Sequence, residues 1–407
     1  MTKKPLPIGI DNFKKIVDGN YYLIDKTLLI KDLVTRGSAV YLLPRPRRFG
    51  KTLNLHMLQC FFEKPLPRLH NPKGDSLAYL FEDKLVWQHE DLRALQGKFP
   101  IIALSFKDIK PLDWETCMRQ CADVVAQEYQ VHRYLLEDNV LSREEKAEFE
   151  AVMTKTGDFV AIQSSLSNLS RYLQRYHGVN VIILIDEYDA PIHAGYLYGF
   201  YDKIVSFMRT FFSSAFKGNH ALERGIITGI LRTAKEGIFS GPNNLDVYSN
   251  LDRFVADKFG FTQEEVDALL AYYRMTDQRD EIRKWYDGYR VPGTDLALYN
   301  PWSVLNCVQK EGVIAPYWAN TSSHDLIKKQ LTKVPAKILR ELDLILQGNT
   351  EQRYPVSEGM VFPNMERTES AVWSLLVFSG YLTVSSIKFG NVDFLCTLNV
   401  PNQELYV

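Results

Sequence analysis

The feature that most restricts the fold is a short run at residues 179–185, VNVIILI, whose last five residues are all apolar and which ends directly on Asp186 and Glu187. Side chains of a strand alternate between its two faces, so a run without alternation must be covered on both. Similar runs stand at 39–43 (AVYLL), 100–106 (PIIALSF) and 225–230 (GIITGI), separated by helical patterns that include a charged stretch from about 113 to 176. Buried strands alternating with helices indicate the α/β class, a parallel sheet flanked by helices on both faces. Near residue 255 the pattern becomes mostly helical, which divides the chain into 1–255 and 256–407.

The C-terminal part opens at FTQEEVDALLAYY, where Thr262 and Glu265 stand at capping-box spacing. Further helices are expected at about 301–311, 322–331 and 336–346. An apolar helix at 370–380 then leads into YLTVSSIK, a turn at Gly390 and Asn391, and VDFLCTL. That order reads either as the end of a winged helix or as a plain hairpin closing a helical cap.

Charge excludes one class of function. With 48 basic and 49 acidic side chains the net charge is -1, so this is no globally basic nucleic-acid coat, and any basic patch must be local. Cys60, Cys117, Cys121, Cys307 and Cys396 are too few and too irregular for a disulfide framework, which points to a reducing cytoplasm. Cys117 and Cys121 share a helix spacing but have no matching second pair for zinc, so they read as core residues. The N-terminal stretch has no apolar signal region, and no run reaches the roughly 18 apolar residues of a membrane span.

The chemistry concentrates in RPRRFGKT, residues 45–52. A phosphate site needs a strand, a tight loop whose N–H groups converge, and a helix N-terminus behind them. Here the strand enters at 39–43, and Lys51 would reach the β- and γ-phosphates while the Thr52 hydroxyl would ligate Mg²⁺. Arg45 stands where the usual pattern has its first glycine. Arg45, Arg47 and Arg48 can supply guanidinium contacts to phosphate, contact nucleic acid or a neighbouring acidic strand, or simply form a solvated basic turn. Asp186 and Glu187 follow their strand as in a Walker B element, the aspartate supporting the metal and the glutamate polarising the attacking water. Ligands collect at the carboxyl ends of parallel strands, so both motifs would open on one edge.

These motifs, together with LIDEYDAPI, GIITGILRTAKEGIFSGPNNLDVYS and WYDGYR followed by YNPWSVLN, resemble the AAA-ATPase-like family of bacterial and archaeal proteins. In that family the loop typically reads RPRRFGKT or RPRRFGKS, so Arg45 is its own pattern. The resemblance implies a P-loop NTPase core with ATP and Mg²⁺ as cofactors and a binding stretch of Arg45, Arg47, Arg48, Phe49, Gly50, Lys51, Thr52 and Leu53. It places Thr52 and Asp186 at the metal and Glu187 with Lys51 in catalysis. Thr228 would read the γ-phosphate from the strand after Asp186, and Arg232 would add positive charge in the transition state; a buried threonine and an Arg232–Glu236 pair are the plainer readings. Many members continue into a nuclease-like domain of the PD-(D/E)XK type, which is expected to be absent here because the chain ends at LNVPNQELYV.

Three expectations remain. Asp189 reads as a group beyond the magnesium water or as a cap on the turn with Pro191. Trp285, Tyr286, Tyr289 and Arg290 suit either base stacking or a core anchor. Glu82-Asp83-Lys84 and Glu144-Glu145-Lys146 meet a bare nuclease spacing but read as surface charge. The function expected is ATP hydrolysis driving a conformational change, with DNA, a nuclease module or an oligomer as partners; a nucleotide-switched binding protein with little turnover is the alternative.

Overall fold

The computed structural model describes residues 3–66, 75–231, 245–319, 327, 331–332, 334–349, 351–359, 368–390 and 393–406. Its centre is a five-stranded parallel sheet built from β1 (Val40–Pro44), β2 (Ile101–Ser105), β3 (Val181–Asp186), β4 (Leu222–Gly229) and β5 (Leu245–Val247), in the order β2-β3-β4-β1-β5. Every residue of β1 and β3 is buried. Alternation sorts these side chains between two cores. Val40, Leu42, Ile183, Ile185 and Ile227 pack with the helices Trp114–Val131, Phe159–His177 and Tyr201–Phe216, whereas Tyr41, Leu43, Ile182, Leu184 and Ile226 pack on the other face. That second face is covered by α1 (Phe13–Asp18), α2 (Leu28–Arg36) and α3 (Lys51–Phe62).

Four of the five strands match the expected runs to within a few residues. β5 is an addition: three residues with Asp246 in the middle present no apolar run to detect. The stretch expected as helical from 113 to 176 resolves into the helices Trp114–Val131, Arg143–Met153 and Phe159–His177. In the second, Ser142 and Glu145 close a capping box, and Glu145 also meets Arg175, so these charges order a helix start. Cys117 and Cys121 lie in the core, and all five cysteines are buried and free.

In the C-terminal part the Thr262–Glu265 capping box opens the helix Gln263–Tyr273, and helices follow at Pro301–Gln309 and Ala336–Leu346. Most of the helix expected at 322–331 lies outside the described residues. Two residues of β6 (Tyr289–Arg290) pair with β7 (Ala297–Leu298). β8 (Tyr354–Val356), β9 (Thr383–Phe389) and β10 (Phe394–Asn399) form an antiparallel sheet in the order β8-β10-β9. The helix Glu369–Phe378 beside it is buried at every residue from Ala371 onward, so it offers no free face to a DNA groove. Among the described residues no helix is long and apolar enough to cross a membrane.

Candidate functional site

The register of the sheet brings the motifs together. Ser105 pairs with Asp186, Leu43 with Thr228 and Pro44 with Gly229, so β1 to β4 all end on one edge. The chain leaves β1 with the Arg45 N–H donating to the Gly229 carbonyl at 3.0 Å. Gly229 is required by close approach, since a Cβ there would stand 2.7 Å from both the Asp189 carboxylate and the Tyr188 ring. Gly50, at φ +80, turns the loop into α3 in a conformation that L side chains resist. Arg48 and Glu187 also carry positive φ, 66 and 49, and such strain in non-glycine residues collects at functional sites.

Asp186 is the hub. Its Oδ2 accepts from the Thr52 hydroxyl at 2.7 Å and its Oδ1 from the Thr228 hydroxyl at 2.6 Å, which ties the first turn of α3 to the end of β4. Lys51 is buried, and its Nζ donates to the carbonyls of Arg45 and Pro46 at 3.0 and 2.9 Å. Burial pushes the Lys51 pKa down, against the pull of the Glu187, Asp186 and Asp189 carboxylates. Burial also raises the pKa of Glu187, opposed chiefly by Lys51. A carboxylate raised in this way is a better proton acceptor.

These groups border a cavity of about 510 Å³, within the range of roughly 300–1,000 Å³ typical of small-molecule sites. Arg47, Arg48, Phe49, Gly50, Lys51, Thr52, Leu53 and Glu187 all line it. Asp186 and Thr228 are buried and are not among the lining residues, so Thr228 is placed to hold Asp186. The Arg45 side chain turns away from the cavity: its guanidinium donates to the Pro44 and Tyr248 carbonyls at 2.7 Å each, stacks over Phe259 at 4.8 Å, and has its pKa lowered by burial to about 10. Arg48 stacks on Trp302 at 4.2 Å. Arg232 lies outside the described residues.

The opposite walls carried no signal in the sequence. They come from the N-terminal segment, with Ile8, Ile10 and Asp11, from Lys107 past the end of β2, and from Phe261 and Trp302 in the C-terminal part. His56 on α3 holds the N-terminal segment in place, meeting the Asn12 side chain at 3.0 Å and accepting from the Phe13 N–H at 3.1 Å. Ile8, Ile10 and Asp11 belong to the opening segment IGIDNFKK, Phe261 to FTQEEVDALLAYY and Trp302 to YNPWSVLN, yet nothing in those stretches marked them as walls.

The remaining expectations resolve as structure. Asp189 Oδ2 accepts from the backbone N–H groups of Ile230 and Leu231 at 2.9 and 3.0 Å and lies 3.3 Å from His193; its side chain makes no cap on the following helix. Tyr286 and Tyr289 are buried, the latter edge-on to Phe49 at 4.8 Å, so the two tyrosines are core anchors, while the half-buried Trp285 indole donates to Glu281 at 2.9 Å. Lys84 pairs with Asp83, and Lys146 donates to the Leu136 carbonyl.

This strand order, with a Gly-Lys-Thr loop after one strand and an Asp-Glu pair after another, defines a P-loop NTPase-like fold. The family model described as Predicted AAA-ATPase matches residues 7–239, more than half of the chain, and the chain belongs to this AAA-ATPase-like family. It is also 28% identical over 409 residues to an uncharacterized protein in the vnfD 5′ region of Azotobacter chroococcum mcd 1, covering 100% of this chain and 69% of that protein. Membership of a predicted ATPase family implies nucleotide binding.

Proposed function

We propose that this protein binds ATP in the cavity between the phosphate loop and the C-terminal helices and hydrolyses it with Mg²⁺. The observation that carries the reading is the Thr52–Asp186–Thr228 bridge beside the buried Lys51. In this reading Lys51 leaves the loop carbonyls for the β- and γ-phosphates, joined by the loop N–H groups at the start of α3. The Thr52 hydroxyl and the Asp186 carboxylate are hard oxygen donors on neighbouring atoms, a set that suits Mg²⁺, and they would hold it. The metal, when bound, offsets phosphate charge and polarises the γ-phosphoryl group. Glu187 orients water and accepts its proton, helped by its raised pKa.

Residues 256–407 are proposed to move against 1–255 as nucleotide turns over, because the Trp318 indole donates to the Arg47 carbonyl at 3.2 Å and so links the loop to that part. The same link supports the alternative of a nucleotide-operated switch with little turnover. DNA is left out of the reading, since Tyr286, Tyr289 and the helix Glu369–Phe378 from Ala371 onward are buried.

The test is phosphate release by the wild type, Glu187→Gln and Lys51→Ala. Glu187→Gln should lower turnover at least about 100-fold while keeping ATP affinity, the scale of a general base, and Lys51→Ala should lose affinity. Equal turnover in all three removes the catalytic assignment. Tight binding without turnover in the wild type selects the switch.

A further inference from the structure

Lys107 stands just past the end of β2, the neighbour of β3, and the Phe106 N–H donates to the Asp186 carbonyl at 3.0 Å. The backbone therefore fixes Lys107 a step beyond the carboxylates that end β3. It lines the same cavity as Glu187 and Lys51. The hydrogen bond to Asp11 chiefly raises the Lys107 pKa, with a smaller contribution from Glu187, which also opposes the lowering of the Lys51 pKa by burial, so both lysines lie within the field of Glu187. The end of the cavity nearest Glu187 is thus flanked by two cations, one buried behind the loop and one at the mouth.

Lys107 has a partner of its own. Its Nζ donates to Asp11 of the N-terminal wall at 2.7 Å, and both side chains are about half exposed, 46% and 49%. An ion pair this exposed is weak and is surrendered cheaply to a stronger anion. A terminal phosphate carries more charge than a carboxylate and accepts charge-assisted hydrogen bonds through three oxygens. On a flexible four-carbon stem, a lysine ammonium is a point charge that can exchange partners without moving the backbone.

We infer that Lys107 is a specificity-determining residue that leaves Asp11 to bind the γ-phosphate, so that the site distinguishes a nucleoside triphosphate from a diphosphate. The inference rests on the nucleotide reading above and adds to it. Lys51 reaches the β-phosphate that both nucleotides share as well as the γ-phosphate; Lys107 reaches only the γ-phosphate, which the diphosphate lacks. Asp11 competes for the same ammonium when that phosphate is missing.

The experiment is equilibrium binding of MgATP and MgADP to the full chain carrying Lys107→Met, Lys107→Arg or Asp11→Asn. Lys107→Met should weaken ATP about 10-fold, the loss of one charge-assisted contact, and leave ADP within about 2-fold, and the difference should persist at high ionic strength, where long-range attraction is screened. Lys107→Arg should restore the preference, and Asp11→Asn should tighten ATP a few-fold. Equal weakening of both nucleotides, or of neither, by Lys107→Met overturns the assignment while leaving the nucleotide reading intact. Weaker ATP binding by Asp11→Asn overturns the exchange. A wild type that binds neither nucleotide overturns the underlying reading and this one with it.

Discussion

Replacing Asp189 by alanine would strip an acceptor from two backbone N–H groups at once. The Ile230 and Leu231 amides are buried where β4 leaves the sheet, and no water can take over from the carboxylate without opening the core. Burial alone would raise the Asp189 pKa, but His193 and these two amides win and hold it below the usual carboxylate value. Asp189→Ala should therefore destabilise the fold by about 2–4 kcal/mol in urea unfolding, the cost of orphaned buried polar groups; a loss below about 1 kcal/mol would show that Asp189 is no anchor. Lys51, Thr52, Asp186 and Glu187 were legible in the sequence because a phosphate loop and a carboxylate after a strand are local patterns. Asp189 carried two readings; its side chain makes no cap on the following helix, and its two backbone partners left no local signal because they lie 41 and 42 residues further along the chain. Asp11, Lys107 and Trp318 meet their partners across even longer separations and leave no spacing to read.

At the scale of elements, the terminal turn Gln403–Tyr406 acts as a plug. Glu404 is fully buried, accepting from the Ser303 hydroxyl at 2.7 and 3.0 Å and from the Trp318 N–H at 2.5 Å. Burial raises its pKa to about 7, against the Trp318, Ser303 and Ala319 contacts, and the titratable groups near it are the phenols of Tyr286, Tyr289 and Tyr317. Because the folded value lies above the ordinary 4.5, the stability contributed by the protonated carboxyl is fully present below pH 4.5 and is lost as pH rises to about 7. The loss is about 3 kcal/mol. Glu404→Gln should flatten this slope, gaining on the wild type between pH 5 and pH 8 in paired melting curves; parallel curves would refute it. The Thr262 capping box was legible because its signature spans four residues. A buried glutamate in a polar tail has no such signature, and β5 was too short to show one.

For the whole molecule, the contacts run from the loop through Trp318 to the C-terminal plug without a gap. Trp318 is buried against Tyr381 at 5.1 Å, so Trp318→Phe removes the indole N–H while keeping the packing. ATP at about a hundred times its Kd should stabilise the wild type by about 2.7 kcal/mol, and hydrogen exchange at residues 403–406 should slow on binding. In Trp318→Phe that slowing should disappear while protection of the loop remains; unchanged protection at 403–406 would place the coupling elsewhere.

The sheet order also sets a sequence of events in time. β1, which delivers the phosphate loop, lies between β4 and β5, so Val40 finds its neighbours only at Gly225 and Leu245. Pairing over such distances is slow, because the closure entropy of the long intervening chain is met before the contact rewards it. During synthesis the first strand waits unpaired until most of the domain has emerged. The loop that follows β1 is therefore among the last parts of the sheet to be fixed, and a nascent chain that ends before Leu245 has not yet paired β1 on both sides.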